Sequence, residues 1–90
     1  MKQYYRLSPR GFCNEDIILS AESAAEIIYA EEIATALNDA HTSWGERITR
    51  KDAERITAAN RAACRRGEAS ANNPAGTTEI VRVADYIAQH

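Results

Sequence analysis

Ile17-Ile18-Leu19-Ser20-Ala21-Glu22-Ser23-Ala24-Ala25-Glu26 is the stretch on which the fold turns. Its first half, with Asp16 ahead of it, is apolar and partly β-branched, which suits a strand. The character then changes within two residues. Ser23 and Glu26 make a capping box, in which the serine oxygen takes the N–H three residues on and the glutamate reaches back. A helix is therefore predicted from about Ala24 to Ala40. Its apolar stripe is Ile27, Ala30, Ile33, Ala34, Leu37 and Ala40, at helical spacing. Glu31, Glu32 and Asp39 fall mostly on the other side. Ile28 falls there too, and the wheel gives no reason for it.

Upstream, Tyr4-Tyr5-Arg6-Leu7 reads as a strand, and Ser8-Pro9-Arg10-Gly11 is turn chemistry. The connection is too short for a parallel crossover, so the two strands are expected to pair as an antiparallel hairpin. The loop from Ser8 to Glu15 is longer than a tight turn, which predicts a bulge or a wide loop. Downstream, His41-Thr42-Ser43-Trp44-Gly45 breaks the helical pattern. Thr49 and Asp52 open a second helix that runs to about Arg66 and stops at Gly67. Glu68 to Gly76 reads as a loop and as the segment expected to be most mobile.

The run Thr77-Thr78-Glu79-Ile80-Val81-Arg82-Val83 is rich in β-branched residues and favours a strand. The competing reading is a helix with Ile80, Val83, Ala84 and Ile87 on one face. The strand is preferred because a lone two-stranded hairpin is marginal in water. The expected fold class is α+β, in one compact domain over residues 1–90. A small antiparallel sheet, made of the N-terminal hairpin and a third strand near 78–84, packs on two main helices at about 24–40 and 50–66.

The totals set limits on this domain. Ninety residues allow a single core, and 44% hydrophobic with 27% charged residues is the ordinary mixture. Collagen, low-complexity and disulfide-dense chains are excluded. Alanine supplies much of the hydrophobic fraction, so the core is thin at about 25 cal/mol per Å² buried. Partner binding or a homodimer would add stability. No apolar run approaches the roughly 18 residues of a membrane span, and Met1 to Arg6 lacks a signal-peptide stretch. A cytoplasmic protein with no membrane partner is the expectation. Cys13 and Cys64 fit two reduced thiols better than a disulfide.

The net charge of −2 conceals a strong segregation. Residues 1–14 carry +3, from Lys2, Arg6 and Arg10. Residues 15–41 carry −7 and no cation: Glu15, Asp16, Glu22, Glu26, Glu31, Glu32 and Asp39. Residues 42–66 carry +4, with seven Lys and Arg against Glu46, Asp52 and Glu54. Residues 67–90 carry −2. In the second helix, Arg50, Lys51, Arg55, Arg61, Arg65 and Arg66 fall within an arc of roughly 160°. Ala53, Ile56, Ala59, Asn60 and Ala63 occupy the opposite side. The functional reading is a surface for phosphates or for an acidic partner. The plainer reading is a solvated amphipathic helix, or internal pairing with the acidic first helix. Glu54 inside the arc and the lack of interleaved aromatics favour the plainer one. The acidic stretch has the same alternatives: protection of a hairpin edge against pairing, or contact with a basic partner.

Signals for catalysis are missing. There is no phosphate loop or dinucleotide fingerprint, and Cys13, His41, Cys64 and His90 lack metal-ligand spacing. No catalytic residue, metal or cofactor is expected. His41 suits a helix C-terminus and His90 a frayed end. Trp44, beside Gly45, reads as a core plug ahead of a binding anchor, although an exposed tryptophan makes a favoured hot spot.

The layout of Lys2-Gln3-Tyr4-Tyr5-Arg6-Leu7, a turn, then Ile17 to Glu26 is strand, turn, strand and alanine-rich helix. Over about the first 40 residues this resembles small phage- or prophage-encoded accessory proteins of the anti-CRISPR kind. The resemblance is one of layout, and it implies a non-enzymatic inhibitor that occupies a host protein's surface. Two functions are therefore carried forward. The first is a protein-binding module, sharpened by the resemblance to a phage-type inhibitor of a bacterial defence complex, itself a nucleic-acid-binding assembly in some cases. Its contact residues are Glu31, Glu32, Asp39 and Trp44 with the cations from Arg50 to Arg66. The second is a nucleic-acid-associated accessory protein using the cationic helix.

Overall fold

The computed structural model describes residues 2–8, 16–40, 43–66 and 78–89. The readings made of Pro9 to Gly11, Cys13, His41, Gly67, the loop at 68–76 and His90 lie outside these residues. The described elements are β1 (Gln3–Ser8), β2 (Ile17–Ala21), α1 (Ala24–Asp39), β3 (Trp44–Ile48), α2 (Arg50–Arg65), β4 (Val81–Arg82) and α3 (Val83–Gln89). The domain is α+β, with one four-stranded sheet in the order β3-β1-β2-β4.

β1 and β2 form the expected antiparallel pair, with Tyr5 opposite Leu19 and Gln3 opposite Ala21. The sheet as a whole is mixed, where a wholly antiparallel one was expected. β1 also pairs antiparallel with β3, and β4 runs parallel to β2. β3 is the strand the sequence did not reveal. Trp44-Gly45-Glu46-Arg47-Ile48 is short and glycine-bearing, with two of its five residues charged; it forms the outer edge of the sheet, where charge discourages pairing with another chain. The 78–84 run resolves into both of its readings. Val81–Arg82 is a two-residue strand and Val83–Gln89 a helix. Of the proposed helical face, Val83 is buried, Ile80 is half-buried, and Ala84 and Ile87 are exposed.

Side chains alternate across the sheet and build two separate cores. Tyr5, Leu7, Leu19 and Ala21 face α1 and α3, packing with Ala30, Ala34 and Val83. Tyr4 and Ile18 face α2 and pack with Ala53, Ile48 and Ile56. The central strands are apolar on both faces because both are covered, which is why Ile17-Ile18-Leu19 does not alternate. Full burial of Leu7 or Leu19 contributes about 2–3 kcal/mol each.

The two long helices lie on opposite faces for a topological reason. The chain moves from β2 through α1 to β3 in one direction along the sheet. It returns from β3 through α2 to β4 in the other. Crossovers between parallel strands keep one hand, so reversing the direction puts the second helix on the other face.

Helix ends follow their sequence signals. The Ser23 hydroxyl accepts from the Glu26 N–H at 3.2 Å, and Thr49 accepts from the Asp52 N–H at 3.1 Å. α1 ends at Asp39, and Ala40 caps it by donating its N–H to the Leu37 carbonyl at 3.1 Å. On α2, Ala53 is buried and Ile56, Asn60 and Ala63 are half-buried, but Ala59 is exposed. Thr57 takes the buried position, its hydroxyl satisfied by the Ala53 carbonyl at 3.0 Å. Cys64 is an exposed free thiol.

Candidate functional site

Among the described residues, no ion pair joins the cationic helix to the acidic block. Its cations come instead from strands. The Arg82 side chain on β4 pairs with Glu26 at 3.0 Å and Glu22 at 3.3 Å. The Glu26 carboxyl is nearly buried, and its hydrogen bond with Arg82 above all holds it below the usual glutamate value. Glu26 thus leaves the reciprocal half of the capping box: it accepts from the Ser23 hydroxyl at 3.2 Å and from Arg82. At the other side of α1, Glu31 accepts a hydrogen bond from the Tyr5 hydroxyl at 3.0 Å and pairs with Arg47 of β3. Arg47 also lies over the Tyr5 ring, 5.8 Å from its centroid. Burial first, then the Glu31 contact, pushes the Tyr5 phenol above its ordinary value. Glu31, one of the proposed contact residues, therefore serves first to join α1 to the sheet.

Glu32 and Asp39 point away from the sheet and are exposed. Between them runs an open depression of about 480 Å³ along the outer shoulder of α1, with Ile28, Thr35 and Ala36 in its wall. Ile28 is 60% exposed, the largest exposure among the large apolar side chains described. Its misfit with the helical wheel is the sequence signal that adds an apolar side chain to the contact residues Glu31, Glu32 and Asp39, which line the same strip.

Trp44 sits half-buried at the start of β3, opposite Ser8 on β1. The Arg6 guanidinium stacks over its ring at 5.1 Å, and Arg6 is held in turn by Asp16, with Nε to Oδ2 at 2.7 Å. Ser8 donates to the same carboxylate. Trp44 is thus engaged by Arg6 on the sheet, and it does not line the depression that holds Glu32 and Asp39.

Arg50, Lys51, Arg55, Arg61, Arg65 and Arg66 are all exposed on α2. The ion-pair partners of Arg50 and Arg55 are Glu54 at 3.0 Å and Asp52 at 3.6 Å, both on the same helix. Such exposed pairs contribute little. Arg61 donates to the Thr78 carbonyl at 2.5 Å, tying α2 to the approach to β4. Among the described residues, Lys51 and Arg65 make no ion pair. Exposed Ala58 and half-buried Ala62 lie one turn apart between these cations.

Among the described residues, no group of three or more His, Cys, Asp and Glu converges as a metal site, and no helix is long and apolar enough to cross a membrane. The arrangement sets an apolar strip with carboxylates on one side of the sheet and a cationic helix on the other. Comparison with protein-family models, with curated proteins and with solved structures gave no match.

Proposed function

We propose that this chain is a non-enzymatic protein-binding module whose contact surface for a basic partner is the outer face of α1. The observation that carries this reading is Ile28, 60% exposed one turn from Glu32, in a depression whose lining also includes Asp39. An apolar side chain set among carboxylates suits a partner that supplies both an apolar pocket and cations, with the charges setting encounter rate and register. The phage-type inhibitor of a bacterial defence complex, acting in the cytoplasm by covering a partner's surface, is the sharper form of this proposal. Its support is the layout of the first 40 residues.

A second reading has an observation of its own. The cations of α2 stay on the outside, because α1 lies across the sheet from them. That face can contact phosphates, as a nucleic-acid-associated accessory protein would.

Capture of a partner from bacterial lysate with two variant sets separates the readings. In the first reading, Ile28→Ser and the pair Glu32→Lys with Asp39→Lys lose the partner, while Arg55→Glu with Arg65→Glu keeps it. The opposite pattern, with a salt-sensitive shift of DNA or RNA, favours the second. Capture unchanged in every variant would sink both.

A further inference from the structure

We infer that the cationic partner of α1 is α2 of a second copy, so that copies of this chain stack head to tail. This rests on the reading of the outer α1 face as a docking surface, and it names the occupant. Three observations lead to it. First, the faces cannot meet within one molecule, since α1 and α2 cover opposite sides of the same sheet and pack into separate cores. Second, they are complementary in charge, and a large apolar side chain on one answers small ones on the other. α1 presents the protruding Ile28 with Glu32 and Asp39. α2 presents the cations Arg55 and Arg65, with the small side chains of exposed Ala58 and half-buried Ala62 between them along the helix. Small side chains leave room for a large one to seat where two helices pack, and both helices are 16 residues long. Third, the symmetric alternatives are repulsive. α1 on α1 opposes carboxylates, and α2 on α2 opposes guanidinium groups.

A contact between two different patches is heterologous. With the patches on opposite sides of the molecule, each added copy leaves the same two faces open, and the product is an open chain. One helix against one helix falls short of the roughly 1,200 Å² of a standard interface. Association is therefore weak, reversible and sensitive to salt, because its charges are exposed.

Sedimentation velocity of the full chain over a concentration series tests this at about 50 mM and about 500 mM salt. The wild type is expected to gain mass with concentration, at least about tenfold more weakly at the higher salt. Two neutralised variants isolate the faces: Ile28→Ser with Glu32→Gln, and Arg55→Gln with Arg65→Gln. Each alone stays monomeric. Their equimolar mixture forms a one-to-one dimer and nothing larger, since each supplies the face the other lacks. A monomeric wild type at every concentration overturns the inference. So does a mixture without the dimer, or a variant of either face that associates like the wild type. A Lys/Leu amphipathic helical peptide separates this failure from failure of the docking reading. If the monomeric wild type binds it and Ile28→Ser does not, only the self-stacking is overturned. If neither binds, both are.

Discussion

Gly45 on β3 and Ala34 on α1 are in direct contact: a Cβ added to Gly45 would stand 2.8 Å from the Ala34 Cα and 3.0 Å from its Cβ. The same residue is clamped from its backbone. The Asn38 side chain accepts from the Gly45 N–H and donates to its carbonyl, both at 2.9 Å. Asn38 thus acts like a strand neighbour at the sheet edge and sets how close α1 lies to it. Gly45→Ala forces β3 and α1 apart and is expected to lower stability by about 1–3 kcal/mol. Asn38→Ala removes two hydrogen bonds and should lower it by roughly 1–2 kcal/mol. Urea unfolding midpoints measure both, and a Gly45→Ala chain as stable as wild type would refute this close approach.

The clamp from Arg82 to Glu26 predicts a pH dependence. Because the Glu26 carboxyl lies below its ordinary value in the fold, foremost through Arg82, its contribution is fully present above the unfolded value of about 4.3. It is lost as the pH falls through the depressed folded value. Unfolding midpoints taken from about pH 6 to about pH 3 should fall. Glu26→Gln should be less stable at the upper end and change less across the range. Parallel curves for the two chains would show that this carboxylate is not part of the acid response.

Thr49 carries the start of α2. Its hydroxyl satisfies one of the free N–H groups of the first turn, and α2 holds the sheet mainly through Ala53, Ile56 and Thr57. Thr49→Ala is expected to destabilise by about 1 kcal/mol. Thr49→Ser should recover most of it, read by circular dichroism during thermal unfolding.

Ile28 and Leu19 make a contrasting pair. Leu19 is fully buried and Ile28 is 60% exposed. Leu19→Ala should lower stability by roughly 2–5 kcal/mol, while Ile28→Ser stays within about 0.5 kcal/mol of wild type. Partner or self-association should respond the other way round. An Ile28→Ser chain with a large stability loss would mean that this side chain supports the fold.

Local rules, legible along the chain, account for much of this molecule. Alternating and apolar runs mark β1 and β2, the Ser23 and Thr49 caps start α1 and α2, and helical spacing separates the buried from the charged side of each helix. These depend on residues within a few positions of one another, so sequence determines them. β3 was not visible in that way. Its five residues are extended because β1 pairs with them, and Gly45 is required by Ala34, eleven positions earlier in the chain. β4 is likewise a strand only because β2 lies beside it. The candidate site divides along the same line. The acidic and cationic blocks and the odd placement of Ile28 are legible along the chain. That the described parts of the two blocks stay apart, with Arg47 and Arg82 answering Glu31 and Glu26 while the cations of α2 remain outside, comes from the folded arrangement. The cause is the reversal of crossover direction after β3: it places the two helices on opposite faces of one sheet, a long-range consequence that no local window of sequence contains.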